Sequence, residues 1–170
     1  KTIHTTHIEG LLYNHTLEVK TTGAQSKNPG TQYIAGNVEI ATDNGITNIV
    51  TVHFSFVTPT TKKGTANATY AILNDIISGR HSTVIGGGAD TAAKLRIDSS
   101  IDLNEFYTER DGKEELVSAK RNEGGFIHVV SGDLNADENA RSTFEADIII
   151  KGTRSIEADP ERNLPEKLII

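Results

Sequence analysis

The chain has 170 residues, of which 36% are hydrophobic and 5% aromatic, and its formal net charge of −6 argues against a strongly basic nucleic-acid clamp. A chain of this length buries one sizeable core, so one domain is expected. The absence of cysteine excludes a disulfide framework and zinc sites built on thiolates, and no apolar run approaches the roughly 18 residues of a membrane span.

The chain begins with three runs that have the alternating pattern of β-strands, at residues 7–20, 32–43 and 46–59. In the second run Ile34, Val38 and Ile40 fit a core face, and the residues between them, including Tyr33, fit a wet face. Gly10 inside the first run indicates a bulge or a sharp bend. The turn signal Asp43-Asn44-Gly45 predicts that the second and third runs form a hairpin.

The third run has apolar residues on one face, which predicts that all of them lie in the core: Val50, Val52, Phe54 and Phe56. A helical pattern follows over residues 67–79, with Thr65 or Asn67 as its N-cap and Gly79 as its end. Its apolar face is expected to close the bottom of a barrel.

Three more strand-like runs follow the helix, at residues 92–103, 115–130 and 142–152. Asp111-Gly112 predicts a turn between the first two of them, and Asn122–Gly125 is expected to interrupt the second. Phe144 shares a face with Ala146, Ile148 and Ile150, which predicts that it is a core residue.

This order of segments defines a fold class. Three strands, one short helix and further strands are the plan of the OB-fold, a small antiparallel barrel that binds oligonucleotides or oligosaccharides. We therefore expect a mainly β protein with an OB-like antiparallel barrel, one short helix between strands 3 and 4, and additional hairpin or strand elements. A single domain is predicted over residues 1–155. Residues 156–170 are expected to be an extended C-terminal segment that is truncated, because it ends on apolar residues.

Enzyme signals are weak. Gly86-Gly87-Gly88 lacks the Lys-Ser/Thr of a P-loop and the spacing of a dinucleotide fingerprint, so a flexible connection is the favoured interpretation. His4 and His7 would point to opposite sides of a strand, which argues against a metal site. No nucleophile-elbow pattern is present. We expect a protein that is not an enzyme and that has neither a metal nor another cofactor.

Binding signals are more informative, although they are spread along the chain. Residues 1–100 carry a net charge of about +1 and residues 101–170 about −7, so the first half is better suited to a phosphate backbone. In an OB barrel the ligand crosses strands 2 and 3 under the loops that join strands 1–2 and 4–5. Mapped onto this sequence, that surface offers Tyr33, Asn37, Thr51 and His53, with Lys20 and Lys27 from the first loop. The other candidate phosphate contacts are basic residues: Lys62, Lys63, Arg80, Lys94, Arg96, Lys120 and Arg121.

The residues also resemble a known family. Residues 8–59 look like the amino-terminal part of single-stranded-DNA-binding proteins of tailed bacteriophages, and residues 93–107, 118–130 and 163–170 look like later parts of the same proteins. The resemblance implies an OB-type barrel that coats single strands during replication or recombination without a cofactor. It also implies replication or recombination proteins as partners, no membrane, and a place in the cytoplasm of the phage's host cell.

We therefore expect a non-catalytic single-stranded-DNA-binding protein that uses phosphate contacts and limited base stacking. Tyr33, with Tyr107 or Phe126, is the candidate stacking platform. The alternative is a β-rich virion structural protein, such as a capsid-decoration or tail component, because acidic charge, many Thr and Asn residues and few aromatics suit it equally well. The sequence leaves the oligomeric state open.

Overall fold

The computed structural model describes residues 4–110, 112–147, 154–156 and 167–169. The strands among these residues are β1 (His4–His15), β2 (Glu18–Thr21), β3 (Gln32–Ala41), β4 (Ile49–Val57), β5 (Lys94–Arg110), β6 (Lys113–Val129), β7 (Ser142–Ala146), β8 (Arg154–Ile156) and β9 (Lys167–Ile169). The helices are α1 (Ala68–Ile77), the single turn α2 (Val84–Gly87) and a 3-10 turn (Glu138–Arg141). No described helix is long and apolar enough to cross a membrane.

Five strands close into a ring. β1 pairs with β3, β3 with β4, β4 with β6, β6 with β5, and β5 with β1 again. β2 and β7 extend the sheet outside the ring, by pairing with β3 and β1. The ring order, with α1 between its third and fourth strands, is the OB plan, so the predicted fold is confirmed.

One pairing of the predicted antiparallel barrel is parallel. β4 and β6 run parallel, with Val52 beside Asn122 and His53 beside Glu123. Strand directions cannot alternate all the way around a ring with an odd number of members, so a five-stranded ring needs one parallel contact. Here that contact joins the third and fifth strands of the ring.

The core fills the interior of the ring and the end of the barrel that α1 covers. Its fully buried members come from each strand of the ring and from α1, for example Ile8, Val38, Phe54, Leu73, Leu95 and Ile127. Asn67 is the N-cap of α1, since its side chain accepts a hydrogen bond from the Thr69 backbone N–H at 3.1 Å. The predicted helix and its role as a barrel plug are therefore confirmed.

Two glycines allow close approaches within the barrel. A Cβ on Gly10 would lie 2.0 Å from the carbonyl oxygen of Ala41, where β1 bends to meet β3. A Cβ on Gly124 would lie 2.3 Å from the ring of Phe54. The predicted interruption at Asn122–Gly125 takes the form of a bulge: β6 continues through the segment, but Gly124 and Gly125 stand against the single residue Ser99 of β5, and Gly124 makes room for a core ring.

The turn between β3 and β4 is held by Asp43, as the hairpin prediction requires. Its carboxylate accepts hydrogen bonds from the backbone N–H of Asn48 at 2.8 Å and from the Thr47 hydroxyl at 2.7 Å. These bonds to the charged form lower the pKa of Asp43 below its ordinary value. The turn therefore keeps an ionised carboxylate at neutral pH.

Two aromatic residues predicted to lie in the core are on the surface. β4 carries one extra residue between the pairs Gly36–Phe54 and Ile34–Val57, and this bulge reverses the alternation of its side chains. Phe54 is therefore buried at 1% exposure, whereas Phe56 is 53% exposed. Phe144 is also 53% exposed, because β7 lies at an edge of the sheet outside the ring.

The predicted C-terminal segment, residues 156–170, lies mostly outside the described residues. Within it, Lys167–Ile169 form β9, which pairs antiparallel with β8 through Ser155 and Leu168. The domain boundary near residue 155 stays a prediction.

Candidate nucleic-acid interface

The outward-pointing residues of β3, β4 and β6 form one continuous surface, called here the outer face. Directly paired residues of neighbouring strands point to the same side of a sheet. Asn37 of β3 lies opposite His53 of β4, and His53 lies beside Glu123 of β6. β3 and β4 are the second and third strands of the ring, which carry the ligand in OB barrels. The outer face is therefore the place where the fold would position an oligonucleotide.

One half of the outer face is a polar groove of about 450 Å³, and most of its walls are residues that the sequence predicted. Its lining includes Asn37, Thr51, His53, Lys120 and Arg121. The Asn37 Oδ1 atom lies 2.8 Å from His53 Nδ1. This contact ties β3 to β4 across the groove floor and fixes the orientation of both side chains.

The two cations of the groove differ in their surroundings. Arg121 Nε lies 3.0 Å from Glu123 Oε2, and the Ser55 hydroxyl donates to the other carboxylate oxygen of Glu123. Among the residues that the structure describes, Lys120 forms no ion pair. Lys120 is thus available to an anion, and Arg121 is held in place by one carboxylate.

The other half of the outer face is aromatic. The ring centroids of Tyr33 and Phe56 lie 4.4 Å apart with an interplanar angle of 33°. Lys20 of β2 is directly opposite Tyr33 in the β2–β3 ladder, so its side chain leaves the sheet on the same side. The wet-face prediction for Tyr33 is confirmed. Sequence reasoning missed Phe56, because no feature of the apolar run marks the bulge that turns it outward.

A second cavity, of about 350 Å³, adjoins the aromatic pair. Phe56 and Phe126 both line it, and Thr58, Thr61, Lys62 and Asn67 contribute from the segment between β4 and α1. Phe126 is largely exposed. The cavity thus combines two aromatic rings with a lysine of the loop, which is the chemistry of a site for a planar group attached to an anion.

Four predicted cations lie in loops around the barrel. Lys27 is exposed between β2 and β3, and Lys63 is exposed beside Lys62 between β4 and α1. Arg80 follows α1, and its NH1 atom lies 2.8 Å from Asp75 Oδ1. Lys62 is the cation of these loops that lines a cavity of the outer face.

Lys94 and Arg96 lie one strand beyond the outer face, on β5, where Arg96 is opposite His128 of β6. Both point outward from β5, which β6 separates from β4 in the ring. Lys94 Nζ lies 3.2 Å from Asp133 Oδ1, and Arg96 Nε lies 3.8 Å from Asp98 Oδ2. The structure therefore does not bring this pair to the strand of DNA that would contact Tyr33.

Tyr107 is also distant from the groove, because it lies near the tip of the β5–β6 hairpin. It is exposed and pairs with Leu116, while its neighbours on the same side of β5 are Glu105 and Glu109. Carboxylates on both sides make this a poor position for a phosphate backbone.

The described residues contain no group of three or more His, Asp or Glu side chains that could hold a metal ion. His7, one of the two histidines considered in the sequence, instead has its Nδ1 atom 2.9 Å from Asp98 Oδ1.

The ring order and the position of the helix define a β-barrel protein of the OB type. The chain belongs to the YorF family, whose model matches residues 4–164. No curated protein and no solved structure is significantly similar to it.

Proposed function

We propose that this protein binds single-stranded DNA, without catalysis, across the outer face of β3, β4 and β6. The observation that carries the proposal is the Tyr33–Phe56 pair, two rings in contact on the outside of the barrel at the strands that hold ligands in OB folds. A base that stacks on an aromatic ring contributes on the order of 1–3 kcal/mol. Stacking requires unpaired bases, so the proposal is for a single strand.

Cations at both ends of the aromatic pair supply the phosphate contacts. Lys120 and Arg121 line the polar groove, Lys62 lines the second cavity, and Lys20 stands beside Tyr33. A strand that crosses the outer face passes all four. Each contact on a single strand adds about 0.7 to the slope of log affinity against log salt, so the expected slope is about −3.

The biological role follows the resemblance of the sequence to single-stranded-DNA-binding proteins of tailed phages. We propose that the protein coats single strands during phage replication or recombination in the host cell, and that replication or recombination proteins are its partners.

A fluorescent oligo-dT titration tests this function. We expect affinity to fall as salt rises, with a log–log slope of about −3, and a duplex of the same length to bind much more weakly because its bases are already stacked. Equal affinity for oligo-dT and duplex, or no binding at low salt, would contradict the proposal.

The alternative is a virion structural protein, and one observation favours it. The β5–β6 hairpin continues beyond the barrel and exposes apolar residues, including Leu103, Phe106 and Leu116, as an assembly element would. Assembly of the protein into large particles, together with no binding of oligo-dT at low salt, would support this alternative.

A further inference from the structure

The β5–β6 hairpin continues far beyond the barrel. Each strand has 17 residues, but β1 pairs with β5 only over Lys94–Ser99, and β4 pairs with β6 only at Asn122 and Glu123. Among the described strands, residues 100–110 therefore pair only with β6, and residues 113–121 pair only with β5. These two segments, called here the arm, extend about 30 Å at roughly 3.3 Å per residue.

An arm of this kind is short of stabilising contacts. A two-stranded hairpin alone is marginally stable in water, and further strands or a covered apolar face are needed to hold it. One face of the arm exposes Ile101, Leu103, Tyr107 and Leu116. No described strand pairs with either long edge of the arm, and the open backbone groups of such edges serve as templates for another strand.

The β6 edge of the arm lacks the features that usually prevent such pairing. Residues 113–121 contain no proline, and their ladder with β5 has no bulge. Charge is instead divided along the edge, with Glu114 and Glu115 outnumbering Lys113 near the tip and Lys120 and Arg121 at the base. An edge with acid at one end and base at the other is complementary to a second copy of itself running in the opposite direction.

We propose that the arm is a self-association element, and that two copies of this chain pair antiparallel along the β6 edges of their arms. The best register places Ser118 opposite Ser118 of the second copy. It puts Glu115 opposite Arg121 of the second copy, and the two-fold symmetry repeats that contact. The two arms then form one four-stranded sheet.

The charge of the outer part of the arm favours this occupant over nucleic acid. Acidic residues outnumber basic ones from Asp102 to Glu115, and phosphates would be repelled there. At its base the arm shares Lys120 and Arg121 with the polar groove, so self-association is measured without DNA, and its failure would leave the proposed DNA binding untouched.

Because the chain has no cysteine, a single introduced thiol reports the register. In the Ser118→Cys variant the two Cα atoms would lie about 4.5–5.5 Å apart, which is within the range for a disulfide. Mild oxidation should therefore give a covalent dimer. The matched control is Glu105→Cys, at the same level of the arm but on β5. Its two copies would lie about 14 Å apart across three strand spacings, so it should stay monomeric on a denaturing gel.

Sedimentation velocity without DNA provides the second readout. The wild type should sediment with twice the chain mass of 18.4 kDa. Glu115→Arg sets like charges against each other at two symmetric contacts and should raise the dimer dissociation constant about tenfold. Adding Arg121→Glu to Glu115→Arg should return the dimer dissociation constant to that of the wild type.

Four results would overturn the proposal. They are a monomeric wild type at tens of micromolar, equal cross-linking of the two cysteine variants, no cross-linking of Ser118→Cys, and protection of the Ser118→Cys thiol by oligo-dT in a monomer. The last result would assign the arm to nucleic acid instead.

Discussion

Replacing Tyr33 and Phe56 together by alanine is expected to weaken oligo-dT binding by about 1–3 kcal/mol, which is about five- to 150-fold. The double change removes the stacked pair on the outer face, where the rings lie 4.4 Å apart. Because stacking is not an ion-exchange process, the loss should be similar at low and high salt. Fluorescence titration at two salt concentrations measures it.

The matched control for this change is Phe144→Ala. Phe144 and Phe56 are both 53% exposed, but Phe144 lies on the edge strand β7, away from the outer face. Phe144→Ala should leave oligo-dT affinity unchanged. If Tyr33→Ala with Phe56→Ala lowered the melting temperature sharply while the folded protein kept its affinity, the aromatic pair would be structural and the proposed platform wrong.

Removing the two cations of the polar groove should change the salt dependence instead. The double variant Lys120→Ala, Arg121→Ala loses two candidate phosphate contacts, so its log–log salt slope should be shallower by about 1.4. The measurement is a series of oligo-dT titrations between low and moderate salt, with the wild type alongside.

Lys94→Ala with Arg96→Ala provides the control of equal charge. Both cations lie on β5, which β6 separates from β4 in the ring, so the slope should match that of the wild type. The opposite result would be a shallower salt slope for Lys94→Ala with Arg96→Ala and an unchanged slope for Lys120→Ala with Arg121→Ala. It would place the DNA strand on β5 and contradict the proposed interface.

The ring of strands could be predicted from the sequence because its signals are local. Alternation in β3 and β4, the Asp43-Asn44-Gly45 turn and the Asn67 cap each act within a few residues, and their order matches the OB plan. A parallel contact needed no sequence signal of its own, since closing a five-membered ring requires one; the structure places it between β4 and β6.

Phe56 could not be placed correctly from the sequence. A strand whose apolar residues alternate without a break predicts that all of them share a face, and a bulge reverses that face without changing the pattern. The bulge depends on how β4 pairs with β3 around Gly36, whose φ is +135°. That pairing is a long-range property, so the aromatic pair with Tyr33 appears only in the folded barrel.

The grouping of the cations was also beyond sequence reasoning. Lys94 and Arg96 have the same spacing and polarity as any outward pair on a strand, and only the ring order separates them from the groove. The groove is instead lined by Lys120 and Arg121. Nothing in the sequence distinguishes these two from the other basic residues. The length of the arm was missed because its outer parts carry too few apolar residues on one side to show a clear alternation.

Ultraviolet cross-linking of oligo-dT to the wild-type protein, with the modified peptides identified by mass spectrometry, locates the bound strand on the barrel. We expect adducts on the outer face, at Tyr33, Phe56 or Phe126, and their loss when unlabelled oligo-dT competes. Adducts confined to Tyr107 or Phe144, or no adducts at low salt, where binding is strongest, would contradict the proposed interface.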